Sequence, residues 1–143
     1  MKLVSLQIGR AKTLSTDEDA QKPWSSGIFK SPVATALLAG ERGLAGDEQA
    51  DLRVHGGPDK AICAYPSEHF AFWERELGLE LTPGAFGENF SSSGIDEADV
   101  CLGDVFTADD CMLEVSQARQ PCWKLNVRFN RSDMAARLQA SGR

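Results

Sequence analysis

Gln49-Ala50-Asp51-Leu52-Arg53-Val54-His55-Gly56-Gly57-Pro58-Asp59-Lys60 runs directly into Ala61-Ile62-Cys63-Ala64-Tyr65. Leu52 and Val54 alternate with Arg53 and His55, the period of a strand with one buried face. Gly56-Gly57-Pro58 enforces a turn, and Ala61 to Tyr65 reads as a second, buried strand. Strand, glycine turn, strand is the grammar of a mainly β protein, and the flanking sequence repeats it.

Upstream, Leu3 to Ile8 alternates well enough for an opening strand, stopped by Gly9. Residues 13–23 are polar and read as a surface loop. Gly27-Ile28-Phe29-Lys30 is short and apolar and ends at Ser31-Pro32. Val33 to Leu38 reads as a strand closed by Gly40, and Gly43 to Asp47 as a glycine-punctuated turn. Downstream, Pro66-Ser67 starts a helix with Ser67 as N-cap. Phe70, Trp73 and Leu77 fall on one face, a core stripe, and Gly78 stops the helix. Residues 82–94 are loop-rich. Val105-Phe106-Thr107 and Cys111 to Ser116 form a hairpin about Asp109-Asp110. Pro121 opens a short helix over Cys122 to Phe129. Ser132 or Asp133 caps a last helix carrying Met134 and Leu138. Many short strands, glycine turns and few helices predict a β-barrel with a few short helices.

The composition suits one domain. The chain has 143 residues, 42% hydrophobic and 25% charged, with a formal net charge of −6. That balance speaks against a broad nucleic-acid surface, which needs a basic stripe. A small anionic ligand remains compatible, because a few local cations can hold it. No run approaches the ~20 apolar residues of a membrane span, and the N-terminus lacks the apolar run of a signal peptide. The expectation is a soluble cytoplasmic protein. The four cysteines, Cys63, Cys101, Cys111 and Cys122, include no CxxC pair. All are expected to be reduced, with the first three as packing residues.

Cys122 has a different setting. It follows Pro121 and lies between Arg119 and Lys124. Nearby cations stabilise a thiolate, the form that attacks electrophiles or binds soft metals. Cys122, His55 and His69 lack the paired spacing of a structural zinc motif. A Cys–His hydrolase has no local nucleophile signature here. Three more segments combine glycines with polar side chains able to contact a ligand: Ile28 to Pro32, Asp47 to Lys60, and Gly84 to Asn89.

Five motifs carry a family resemblance: Gly46-Asp47-x-Gln49-Ala50-Asp51, Val54-His55-Gly56-Gly57-Pro58-Asp59-Lys60, Tyr65-Pro66-x-Glu68-His69, Gly84-x-Phe86-Gly87-Glu88-Asn89 and Pro121-Cys122-x-Lys124-Leu125. In this order over nearly the whole chain, they resemble the MOSC family, named from the C-terminal part of molybdenum cofactor sulfurases. The nearest likeness is to the bacterial branch that protects against N-hydroxylated base analogues such as 6-hydroxylaminopurine. The resemblance implies a pyruvate-kinase-like β-barrel and a molybdenum cofactor (molybdopterin), with Cys122 as thiolate ligand of molybdenum. Around the pterin and phosphate it leads us to place Lys30, His55, Gly56, Gly57, Lys60 and Arg119, with Asn89, Ser116 and Gln117 as hydrogen-bonding groups. Ala118 departs from the family pattern, which usually has proline there.

The activity so implied is reduction of a small N-hydroxylated substrate. The sequence carries no flavin or haem signature, so a separate electron-donating flavoprotein is expected. The alternative is a sulfur-carrier or cofactor-carrier protein using Cys122 as persulfide or cofactor anchor. Relatives in this branch continue past the point matching Ser141-Gly142-Arg143. Residues 1–143 are therefore expected to form a single MOSC domain lacking the last strands and a C-terminal helical extension.

Overall fold

The computed structural model describes residues 1–15 and 23–143. Its strands are β1 (Lys2–Ile8), β2 (Lys12–Leu14), β3 (Trp24–Ser26), β4 (Ser31–Pro32), β5 (Ala39–Gly40), β6 (Gly43–Leu44), β7 (Ala64–Pro66), β8 (Phe90–Ser93), β9 (Val105–Ala108) and β10 (Cys111–Glu114). The α-helices are α1 (Phe70–Leu77), α2 (Trp123–Arg128) and α3 (Met134–Ser141). The architecture is mainly β with a few short helices, as the sequence predicts. Among the described residues the strands do not close a ring. One four-stranded sheet runs β4-β1-β8-β7, and three two-stranded ribbons pair β2 with β3, β5 with β6 and β9 with β10. No helix of the described residues is long and apolar enough to cross a membrane.

β1 runs antiparallel to both neighbours, with Gln7 opposite Pro32 and Leu6 opposite Phe90. β7 lies parallel to β8, aligning Tyr65 with Ser91. β8 falls inside a stretch that reads as loop, because its sequence is Phe90-Ser91-Ser92-Ser93. Ser91 and Ser92 are nonetheless buried. The burial of Ser91 is possible because the interior here is a polar network: Ser91 Oγ donates to Glu88 Oε1 at 2.8 Å and Gln7 Nε2 donates to Ser91 Oγ at 3.3 Å. Hydrophobic patterning cannot detect a strand held this way.

Other expectations are revised by local hydrogen bonding. The alternating Leu52–His55 segment is a turn, and Leu52 and Val54 are exposed. Asp51 Oδ1 accepts the backbone N–H of Arg53 at 3.1 Å, and the Asp51 carbonyl accepts that of His55 at 2.8 Å. That Asx turn outcompetes a ladder. Of Val33–Leu38 only Val33 touches the sheet, through its N–H to Leu6 O; Leu38 is exposed and strand structure resumes at Ala39. Only Ala64 and Tyr65 of the Ala61–Tyr65 run are in a strand. The polar 13–23 stretch begins as the end of β2, and residues 16–22 lie outside the described residues. The β9–β10 hairpin forms as expected, with Asp109 at positive φ in its two-residue turn.

α1 is preceded by a 3-10 turn, Ser67–His69. Ser67 Oγ donates to Ser92 O at 2.8 Å and so does not cap the helix. Gly78 ends α1 in the left-handed conformation. Trp73 sits in the core with Tyr65, Ala85, Phe86, Leu125, Met134 and Leu138. Its indole N–H donates to Tyr65 Oη at 2.9 Å, so the buried polar atom is satisfied.

The helix that carries the cysteine motif is fixed at its C-terminal end. Arg128 donates to the carbonyl oxygens of Ile28, Gly84 and Ala85, tying α2 to the Gly84–Gly87 turn. Asn126 Oδ1 accepts the N–H of Ala135 at 2.7 Å and supplies an acceptor at the start of α3. Asp133 occupies the N-cap position, yet its carboxylate is taken by Arg131.

Candidate functional site

The segment before Cys122 is stitched to the Pro58–Lys60 turn. Ser116 Oγ and Gln117 Nε2 both donate to the carbonyl oxygen of Asp59, at 2.8 and 2.9 Å. Arg119 reaches the carbonyl of Lys60 at 3.5 Å. Lys124, in the first turn of α2, donates to Ser25 O at 3.2 Å and anchors the helix to β3. Lys60 curls back to Val54 O at 3.1 Å. These tethers bring together β3, the Ala50–His55 turn and the start of α2 around a cleft of about 520 Å³.

Its electrostatics are uneven. Burial pushes the His55 pKa below 6.5, and repulsion from Lys124, Arg119 and Lys60 lowers it further, with Asp51 opposing. His55 is therefore a neutral imidazole at pH 7. The Arg53 guanidinium chelates Asp51 at 2.9 and 2.8 Å and holds its carboxyl well below the usual carboxylate range. Lys60, Arg119 and Lys124 donate only to backbone carbonyls. Among the described residues none of the three has a carboxylate within 4.0 Å. Three cations thus act on one imidazole, with the Asp51 carboxylate opposing them.

Cys122 occupies the N-cap position of α2 as a partly buried free thiol, directly before Trp123 and Lys124 of the cleft. Lys60 and Arg119 lie close enough to His55 to lower its pKa. Gly56 and Gly57 both have positive φ, 94° and 84°, which favours glycine at each. A Cβ on Gly56 would lie 2.8 Å from Gln49 Oε1, whereas one on Gly57 would meet nothing within 4 Å. The backbone at Gly57 is thus open to close approach. Ser116 and Gln117 serve the tether to Asp59.

Lys30 and Asn89 are placed elsewhere, around Asp47. The Lys30 ammonium and the Asp47 carboxylate form a buried ion pair. Asp47 also accepts hydrogen bonds from Gly9 N, Gln49 Nε2 and Asn89 Nδ2. Asn89 is buried, and its remaining side-chain contacts are to Gln7 O and Cys63 N. This arrangement joins β1, the Gly46–Gln49 turn and the approach to β8. Neither side chain lines the cleft; of the expected site residues only His55 does, and Gly56, Gly57, Lys60, Arg119 and Cys122 lie outside its lining. Burial pushes the Cys63 thiol up, as suits a packing cysteine.

Trp24 and Arg53 escape the sequence reading. Trp24 follows a polar stretch and Pro23, with no periodic pattern to mark it. Arg53 looked like the outward residue of a strand and became a cleft residue once that strand proved to be a turn.

A profile for the MOSC domain matches residues 51–143. This chain belongs to the MOSC family. The MOSC chain is 44% identical over 140 residues to the uncharacterized protein YflK of Bacillus subtilis, covering 98% of this chain and 62% of that protein. It is 47% identical over 122 residues to protein YiiM of Escherichia coli, covering 82% and 54% respectively. A protein named reductase from Gibberella moniliformis is 35% identical over 123 residues, 22% of its own length. The crystal structure of YiiM from Geobacillus stearothermophilus matches with a TM-score of 0.78 at 39% identity, over 99% of this chain and 63% of that one. It is thus a MOSC-domain protein of the YiiM type that spans less than two thirds of the length of these relatives.

Proposed function

We propose that this MOSC chain binds the molybdenum cofactor and reduces N-hydroxylated compounds such as hydroxylaminopurines. The observation that supports this reading is the set of three cations that repel a proton from His55, namely Lys124, Arg119 and Lys60, none with a carboxylate within 4.0 Å among the described residues. A relative bearing the name reductase supports the class of reaction.

The donor set fits the group. Among the described residues no three His, Cys, Asp or Glu side chains converge as a cluster able to cage a bare ion. A cofactor that brings sulfur ligands of its own would need few from the protein, and Cys122 Sγ is the soft donor that would hold its metal. The cofactor's phosphate suits Lys60, Arg119 and Lys124, which form charge-assisted hydrogen bonds to anions. Gly57, with open space at its Cα, lets backbone approach the pterin.

When bound, the cofactor would supply a two-electron reducing centre for an N–OH group. The net change adds two electrons and two protons to the N–OH compound and yields the amine and water. The electrons come from a separate flavoprotein. The neutral imidazole of His55 can pass a proton through its ring nitrogens without adding a charge to the cationic pocket.

The test is metal and pterin analysis of protein made in a host that synthesises the cofactor, followed by turnover of 6-hydroxylaminopurine with a reductant. The expected result is molybdenum and pterin in the wild type and reduction to adenine. Cys122→Ser should keep the fold and lose the activity, because oxygen matches sulfur in shape far better than in softness. Undiminished reduction by that variant would rule out the thiolate ligand. Persulfide on Cys122 without turnover would favour the carrier function instead.

A further inference from the structure

We propose that the outer face of the β9–β10 ribbon docks the electron-donating protein, through Lys and Arg residues that the donor presents around an apolar patch. The partner's role as electron donor rests on the reductase reading; the surface does not. Residues 95–115 hold seven of the chain's 21 acidic residues and no Lys or Arg. Their formal charge is −7 while the whole chain is −6, so the rest of the chain carries +1. The acidity of this protein is therefore the property of one segment. Asp109, Asp110 and Glu114 of that segment are exposed and meet no cation within 4.0 Å among the described residues.

The ribbon's register puts Val105 opposite Glu114 and Thr107 opposite Met112. Side chains alternate along a strand, so these four share one face. All four are exposed, Met112 at 79% and Val105 at 57%. Leu102, just before the ribbon, is exposed too. The opposite face carries Phe106, Cys111 and Leu113, which are half-buried and mark it as the inward one. Among the described residues no further strand pairs with β9 or β10. Charge on an open edge often serves only to block aggregation. Three large apolar side chains standing among the charges work against that purpose. Exposed apolar area rimmed by charge of one sign is the pattern of an interface, with affinity from the centre and steering from the rim. The sign names the partner, because nucleic acid is repelled and a basic protein face is attracted. β10 also runs on through Val115 into Ser116, whose hydroxyl is tied to Asp59 O at 2.8 Å. A partner seated on the ribbon thus holds the strand that leads into the Cys122 segment. The donor is the protein that has to reach that segment, since it gives up the two electrons that each N–OH reduction consumes.

The experiment has a binding arm and a turnover arm, both on the full chain. Cytochrome c, a basic protein whose lysines ring an apolar haem edge, is the binding probe. Titrated onto the isotope-labelled chain, it should shift the amides of residues 102–115 more than any others. Raising NaCl from about 20 to about 300 mM should weaken binding by about tenfold or more. Asp110→Asn combined with Glu114→Gln should weaken it several-fold. The control pair, Glu41→Gln with Glu80→Gln, removes as much exposed charge elsewhere and should leave it unchanged. Met112→Ser should weaken binding at high salt as well as low. In turnover, the cofactor-loaded chain is driven either by NADPH through the flavoproteins of a host extract or by dithionite. The ribbon variants should slow the NADPH-driven reaction several-fold and leave the dithionite-driven one unchanged. Equal losses with both reductants would make the ribbon structural and overturn the proposal. Equal weakening in the control pair would reduce the effect to net charge and overturn it too. So would a concentration-dependent dimer that Met112→Ser abolishes, which would give the face to a second copy of this chain. Ribbon-dependent binding of cytochrome c without turnover by either reductant would sink the reductase reading and leave the surface for a basic partner standing.

Discussion

Lys30 and Asp47 form an ion pair with side-chain exposures of only 6% and 0%. Asp47 accepts three further hydrogen bonds, so its charge is well compensated. Removing one partner strands the other charge in the interior, at a cost of about 3–5 kcal/mol. Lys30→Met should therefore lower stability by roughly that amount, read from the urea midpoint. Adding Asp47→Asn should recover part of the loss. Molybdenum content per folded molecule should be unchanged, since Lys30 is outside the cleft. A loss below about 1 kcal/mol would instead mark the pair as solvated.

That relationship also shows where the sequence stops being legible. Lys30 and Asn89 sit in motifs rich in glycine, and such motifs serve a ligand or a tight fold equally well. Only the burial of Asp47 separates the two uses. Apolar periodicity located α1 and its Trp73 stripe, and local turn chemistry located the β9–β10 hairpin. Neither signal exists for β8, whose Ser91 is buried because Gln7 and Glu88 satisfy it, Gln7 across a separation of 84 residues. The Leu52–Val54 alternation was a true pattern defeated by the Asp51 side chain. The meeting of the Ser116–Arg119 segment with Asp59 and Lys60 depends on long-range tethers that no local pattern encodes.

Gly27 tests how tightly β3 is set against the Gly46–Gln49 turn. A Cβ there would lie 2.1 Å from the carbonyl oxygen of Glu48, a backbone atom. Glu48 cannot retreat freely, because its N–H donates to Gly9 O at 2.9 Å and its carboxylate accepts the N–H of Ala11 at 2.9 Å. Gly27→Ala should destabilise by roughly 1–3 kcal/mol through overpacking. Gly40→Ala is the control: its Cβ would come no nearer than 3.9 Å to Gly43 O. That change should be neutral or stabilise by up to about 1 kcal/mol through the unfolded chain. Thermal melts of the two variants decide it, and equal midpoints would refute the steric argument.

Lys60 and Arg119 should govern how firmly the cofactor is retained. Each is a cation without a carboxylate partner among the described residues. Replacing either with Ala removes one charge-assisted contact to an anion, which corresponds to about tenfold or more in affinity. Molybdenum and pterin content after gel filtration should fall in Lys60→Ala and Arg119→Ala. Arg137→Ala, which breaks a peripheral pair with Glu76, should leave that content unchanged. Equal content in all three variants would remove Lys60 and Arg119 from the binding site.

His55 gives the cleft a measurable pH signature. Its pKa lies below 6.5 because the ring is partly buried and because Lys124, Arg119 and Lys60 repel a proton. The unfolded chain therefore takes up this proton at higher pH than the folded one. The stability tied to His55 is complete above the unfolded value, near 6.5, and is lost as pH falls through the folded value. Histidine NMR should find His55 titrating below His55 in the urea-unfolded chain. Lys124→Ala should raise the folded pKa by removing the largest of the three repulsions. Inorganic phosphate, bound by the same cations, should raise it too. His55→Gln should flatten the fall in stability between pH 7 and 5. A His55 that titrates at or above its unfolded value, and that ignores both Lys124→Ala and phosphate, would show that the three cations do not converge on it, and with that the electrostatic case for an anion-binding cleft would fail.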